Sequence, residues 1–399
     1  MKNQNAIFEK AKSYEADTAK FLADIVSIPS LSGDERAVVE RIGEEMTDVG
    51  FDEVRTDGLG SIIGRIGKGK KIIAMDAHID TVDVGTRDLW KFDPFDGHVK
   101  DGKVWGRGTA DQKGGMASMV CAGKIIKELG LDGDYTLLVT GTVMEEDCDG
   151  LCWDYLIREE KIKPDVCVIT EPTGLRIYRG QRGRMEMKVA VRGLSAHGSA
   201  PERGDNPIYK MARIVLNIEA LNAGLKPDRE NFLGKGTVVV SNIDSIGPSL
   251  CAVPDGCMIH LDRRLTKGET KDSAIAEIRR AMGEIKGDVI VPKYAKPAYT
   301  GKVYEMESYF PTWVTPEDHP SVKAAVSAYE SVFAKAPLVD KWTFSTNGIA
   351  IMGMHAIPCV GFGPGFEEQA HAPNEWTPVE HLSTAAAFYA AFPSAYLSV

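Results

Sequence analysis

No apolar run in the sequence approaches the roughly 18 residues that a bilayer-spanning helix needs. The opening stretch MKNQNAIFEKAKSYEAD alternates charged and apolar residues and reads as an amphipathic helix, not a signal peptide, so the cytoplasm is the expected compartment. A block of Lys and Arg is also missing: 47 basic residues face 57 acidic ones, for a net charge of -10. That balance argues against a nucleic-acid or anionic-membrane partner. Cysteine is sparse, odd in number at seven, and scattered, which argues against a disulfide framework, and reduced thiols are expected. Cys148 and Cys152 are spaced C-x3-C, which is not zinc-knuckle spacing, and both read as packing residues. Internal repeats and low-complexity tracts are absent.

What remains is an ordinary soluble composition, 43% hydrophobic and 26% charged over 399 residues, enough for two or three domains. Residues 5 to 27 predict a first helix closed by Pro29, and Ser32 with Glu35 reads as a capping box opening a second that stops near Gly50. Short apolar runs then alternate with helical ones: KIIAMDAHID, KGGMASMVCAGKIIKELG, YTLLVTGTV and DVCVITEP. Runs apolar on both faces and separated by helices predict an α/β fold, a mainly parallel sheet flanked by helices. From about Arg184 the order becomes β-α-β-β-α-β, the ferredoxin-like α+β unit. After it the α/β alternation resumes, with a helix over 319–335, the strand in IPCVGFGPG, and a last helix started by Thr377, Pro378 and Glu380 as cap, first-turn proline and capping-box acid. The expected division is a larger domain built from 1–183 and 296–399 with a smaller one, 184–295, inserted. Segment 296–318, rich in Tyr, Trp and Pro, reads as an irregular return connection.

Ligands of open α/β sheets bind beyond the carboxyl ends of the strands. Those ends carry His78 and Asp80, Glu145 and Glu146, and Glu171, to which Asp111 before a helix and His371 after CVGFGPG add. Taken singly, each has an ordinary explanation as a turn or a solvated acid. Taken together, carboxylates gathered at one edge would repel one another and raise their own pKa values unless cations lay between them. Imidazole and carboxylate without thiolate suits zinc, with cobalt or manganese as substitutes, and the donors suffice for two ions. The glycine-rich stretch GLGSIIG, Gly58–Gly64, precedes an apolar run instead of following a strand, so it reads as a turn and not as a dinucleotide fingerprint.

With these residues in view, the chain resembles the co-catalytic di-zinc hydrolases that include acetylornithine deacetylase, succinyl-diaminopimelate desuccinylase, aminoacylase and carboxypeptidase G. The matching motifs are MDAHIDTV, WKFDPF, GRGTADQKGGMAS, VMEEDCDG, TEPT, GLSAHGSAPERGDNP, DRRL and GPGFEEQAHAPNE, in family order from about residue 20 to 392. RGQRGRME, VMEEDCDGLCW and DKWTFSTNGIAIMG look most like the subgroup of selenium metabolism-linked hydrolases. The resemblance implies that His78, Asp111 and Glu171 bind one metal and Asp111, Glu146 and His371 the other, with Asp111 bridging. It implies that Asp80 orients the His78 ring, that Glu145 is the general base, and that the peptide after Asp111 is cis. The inserted domain resembles the family's lid and dimerisation domain, and His197 the lid histidine that stabilises the oxyanion in a partner's site. Arg264 resembles the arginine that clamps a substrate carboxylate, and Gly363 and Gly365 would let backbone approach substrate. Two departures stand out: Cys251 occupies the place of an asparagine common in the lid of relatives, and 296–318 has no counterpart in the biosynthetic deacylases.

The expectation is therefore a homodimeric, zinc-dependent amidohydrolase cutting a small N-acyl, N-carbamoyl or peptide-bonded amino acid through a metal-bridging water. A non-catalytic metal-dependent binding protein and a two-metal phosphoesterase are the alternatives. The separate Glu145 beside Glu146 disfavours the first and Arg264 the second.

Overall fold

The computed structural model describes residues 2–399. Four strands run parallel at the centre of the main sheet, in the spatial order Tyr135–Thr142, Lys71–His78, Val166–Ile169, Cys359–Gly361. Antiparallel strands extend it on both margins: Ile62–Ile66 and Glu53–Thr56 on one side, Ile177–Gln181 and Trp313–Val314 on the other. The central strands are buried along nearly their whole length because helices cover them, the condition that makes their sequences read as unbroken apolar runs. Helices Gly114–Leu129 and Pro320–Phe333 pack on the last helix, Val379–Tyr396, which is apolar almost all round and correspondingly buried.

The segment from Gly183 forms a second, antiparallel sheet in the order Thr237–Ile246, Gly256–Leu265, Gly183–Arg192, Asp288–Ile290, with helices Pro207–Gly224 and Lys271–Met282. Met185, Met187, Ile214, Leu261 and Ile278 build a core of its own, separate from the larger cluster under the main sheet. The mainly parallel α/β sheet and the ferredoxin-like β-α-β-β-α-β unit are both as the sequence predicts.

Several local expectations differ. The first helix is two, Lys2–Ser13 and Glu15–Val26, broken at Tyr14. Ser32 and Glu35 do not form a capping box: the helix Arg36–Val49 has Glu35 itself at its cap, with no side-chain cap bond. The Ser32 hydroxyl donates instead to Asp80 Oδ2 at 2.6 Å, and Glu35 Oε1 accepts from the amides of Gly33 and Met144, each at 3.0 Å. Thr377 likewise caps nothing, donating to the carbonyl of Thr109 at 2.9 Å. Segment 296–318 contains three short strands, Met306–Glu307, Tyr309–Phe310 and Trp313–Val314, the second of them paired with Met185 and Arg184.

Candidate metal centre

Parallel register brings the carboxyl ends of the central strands level. His78 pairs with Thr142, three residues before Glu145, and Asp76 with Ile169, two before Glu171; Gly361 pairs with Ile169 ten residues before His371. Asp111 arrives from the loop leading into helix Gly114–Leu129, and the peptide Asp111–Gln112 is cis. Its two oxygens divide between two imidazoles. Oδ1 lies 2.9 Å from His78 Nε2 and Oδ2 3.5 Å from His371 Nε2. His78 Nε2 is also 3.6 Å from Glu171 Oε1 and 3.9 Å from Glu145 Oε2, while His371 Nε2 is 2.9 Å from Glu146 Oε2.

All five expected ligands thus meet at one sheet edge. His78, Asp111 and Glu171 are buried, whereas the His371 side chain is 57% exposed. The tightest donor groups, each within 4.8 Å, are His78 with Glu145 and Glu171, and His78 with Asp111 and Glu146. Glu145 enters one of them through Oε2, 3.9 Å from His78 Nε2. Its other oxygen, Oε1, is buried and has no hydrogen-bond partner, and the same holds for Glu171 Oε2.

The electrostatics show what this clustering costs. Burial, then the charges of neighbouring acids, pushes Glu145 and Glu171 well above the usual carboxylate range, and burial with the Asp111 charge takes Glu146 up to about 7. Burial opposes charge on His78, but Glu145 and Glu171 beside it raise it well above its ordinary value. Asp111 is held low, since the hydrogen bond and charge of His78 outweigh its burial. Orphaned buried oxygens, two imidazoles and a shared carboxylate fit a pair of divalent cations, for which ionised carboxylates and neutral imidazoles are the ligand forms.

Asp80 does more than orient a ring. His78 Nδ1 faces the Asp80 carbonyl at 3.0 Å and the carboxylate Oδ1 only at 3.4 Å, so the backbone makes the closer contact. The carboxylate accepts from the Ser32 hydroxyl at 2.6 Å and from the amides of Glu145 and Glu146 at 3.2 and 3.0 Å. One side chain therefore fixes the strand end carrying His78 against the turn carrying both glutamates.

Arg107 and Glu375 escaped the sequence reading. Buried almost completely, they pair at 2.8 Å. Glu375 accepts from the amides of Gly108, Ala110 and Asp111, and Arg107 donates to the carbonyls of Ala372 and His371. The pair thus ties the loop of the shared carboxylate to the loop of the last imidazole.

Of the remaining expected residues, Arg264 lines the same cavity of about 340 Å³ as Asp111, Glu145, Glu146, Glu171 and His371, although its Nε and Nη2 are bonded to Asp262. His197 does not reach it: the ring is exposed and bonded through Nδ1 to Ser199. Nor do the two glycines line it. The backbone that Gly363 approaches is that of Thr170 and Glu171, where a Cβ would lie 2.1 Å from the Glu171 carbonyl, and Gly365, at φ +81°, packs on Ala110. A side chain at Gly363 would collide with that backbone, so the close approach of these segments requires glycine there. Cys148 and Cys152 are buried and Cys251 is exposed. Among the described residues no helix is long and apolar enough to cross a membrane.

Comparison with known proteins bears on this geometry. The peptidase family M20/M25/M40 matches residues 74–395. The chain is 57% identical over 394 residues to the uncharacterized protein YgeY of Escherichia coli K12, covering 98% of this chain and 97% of that one. It is 29% identical over 286 residues to the succinyl-diaminopimelate desuccinylase of Cereibacter sphaeroides, covering 68% and 74%. It superposes with a TM-score of 0.69 on the YXEP protein of Bacillus subtilis, described as a dinuclear metal-binding peptidase, at 14% identity and 97% and 99% coverage.

Proposed function

Because the chain belongs to peptidase family M20/M25/M40, whose members are metal-dependent hydrolases, we propose that it cleaves the amide bond of a small N-acyl, N-carbamoyl or peptide-bonded amino acid at a two-zinc site. The observation that carries this reading is the Asp111 carboxylate with one oxygen toward His78 and the other toward His371, and the unpartnered Oε1 of Glu145 beside it. His78, Asp111 and Glu171 would hold one ion, and Asp111, Glu146 and His371 the other, with Co2+ or Mn2+ able to substitute. Bound there, two cations would acidify water at neutral pH and polarise the substrate carbonyl.

Glu145 then acts on protons. Its buried carboxylate takes one from the attacking water as the new C–O bond forms, and returns it to the leaving nitrogen as the C–N bond breaks. Asp80, gripping the amides of Glu145 and Glu146, keeps base and ligand apart in their two roles. Arg264 binds the substrate carboxylate. Residues 184–295 serve as lid and dimerisation domain over a catalytic domain of 1–183 and 296–399, and the exposed His197 stabilises the oxyanion in a partner's site. The test is a panel of N-acetyl, N-succinyl, N-carbamoyl and dipeptide substrates with the zinc-loaded protein. Amine release that a chelator abolishes is expected; phosphate-ester hydrolysis without amine release from any amide would overturn the reading.

A further inference from the structure

Arg264 stands directly opposite a second arginine. In the antiparallel pair Gly183–Arg192 and Gly256–Leu265, Arg184 is the cross-strand partner of Arg264. Alternate residues of both strands, Met185, Met187, Leu261 and Leu265, enter the second core, so the two arginines leave from the opposite face. That face looks onto the metal cavity, and Arg184 and Arg264 are the only Lys or Arg side chains among the residues lining it.

Like charges directly opposite on a sheet repel unless something compensates them. Compensation is uneven here. Asp262 occupies Nε and Nη2 of Arg264 at 2.8 and 2.9 Å. Arg184 has only long contacts, Asp149 Oδ1 at 3.4 Å and Glu186 Oε1 at 4.0 Å, and its Nε has no partner. Phe310, also its cross-strand neighbour, has its ring centroid 4.6 Å from the guanidinium carbon. Pairing with Asp149 alone would leave this guanidinium under-used, at the cavity wall, beside another.

Resting on the amidohydrolase reading, we propose that Arg184 is a substrate-binding residue: with Arg264 it forms a two-guanidinium receptor that grips one carboxylate of the substrate. The unpartnered Nε of Arg184, with the Arg264 Nη1 that Asp262 does not occupy, offers charged N–H donors suited to a carboxylate and poorly suited to a neutral carboxamide. Arg184 thereby sets the preference for acyl amino acids over their amides.

The experiment compares N-acetyl-, N-succinyl- and N-carbamoyl-alanine with their carboxamides, in zinc-loaded wild type, Arg184→Met and Arg184→Lys, by amine release and by calorimetric binding. Wild type prefers the acid, and in Arg184→Met the acid-to-amide ratio of kcat/KM, or of affinity, falls about 10- to 100-fold. Arg184→Lys keeps part of the ratio, as a point charge without the fork does. A partly misfolded variant scales acid and amide alike, so the ratio is insensitive to folding. A ratio unchanged in Arg184→Met, or wild type that binds neither acid nor amide, overturns the proposal. Acid binding that depends on Arg184 without amine release from any substrate would sink the reaction and leave the receptor standing.

Discussion

Arg107 and Glu375, 268 residues apart in sequence, form a 2.8 Å ion pair inside the protein and between them hold the backbone of Asp111 and the backbone of His371. Removing one member of a buried pair leaves the other charge uncompensated. Glu375→Gln is expected to cost about 3 kcal/mol of stability in urea unfolding. It should also weaken zinc about tenfold or more by calorimetry, since the supports of two ligands go together. A variant with unchanged midpoint and unchanged zinc affinity would show that the pair does neither.

Glu145→Gln separates base from ligand. Zinc content should stay at the wild-type value while amine release falls by about 10²- to 10⁴-fold, the usual worth of a positioned proton acceptor. Loss of metal in this variant would instead make Glu145 a ligand, as the donor group His78, Glu145 and Glu171 would have it.

How far the sequence discloses the site depends on what each residue's environment requires. His78, Glu145, Glu146, Glu171 and His371 are legible because strand ends can be read one strand at a time and the parallel sheet makes them level. Arg107 lies in GRGTADQ and Glu375 in HAPNE, but nothing local links them. Ser32, Glu35 and Thr377 misled for a physical reason. A polar side chain before a helix can bond to a helix amide or to anything else nearby, and here the alternatives are Asp80, the Met144 amide and the Thr109 carbonyl. Arg184 needed strand register, which no single strand contains.

The acid cluster sets a pH dependence whose sign can be worked out. Glu146 moves from 4.5 to about 7 on folding, and Glu145, Glu171 and His78 are also raised. A raised pKa means the folded state holds the proton more tightly. Its stabilisation is complete below the unfolded value and is lost as pH rises through the folded one, for Glu146 between 4.5 and about 7. Asp111, held low, stays ionised over that range and adds no slope. Chelator-treated protein should therefore melt at a lower temperature at about pH 8 than at about pH 5, and zinc should raise Tm more at the higher pH. A melting temperature of the metal-free protein that rises over this range would contradict the burial of these acids.

Thiol accessibility checks the fold itself. Cys251 is exposed and the other six cysteines are buried. Burial also pushes the Cys121 thiol up to about 11. An aromatic disulfide reagent should titrate one thiol quickly in the native protein and seven after denaturation. Fast reaction of several would mean that the packing around Cys148 and Cys152 is open.

The central claim is that cations shared through Asp111 relieve the repulsion of the gathered acids, and anomalous diffraction at the zinc absorption edge tests it directly. Two peaks about 3.5 to 4 Å apart are expected, one among His78, Asp111 and Glu171 and the other among Asp111, Glu146 and His371. Zinc-soaked crystals with no peak touching Asp111 would contradict the account.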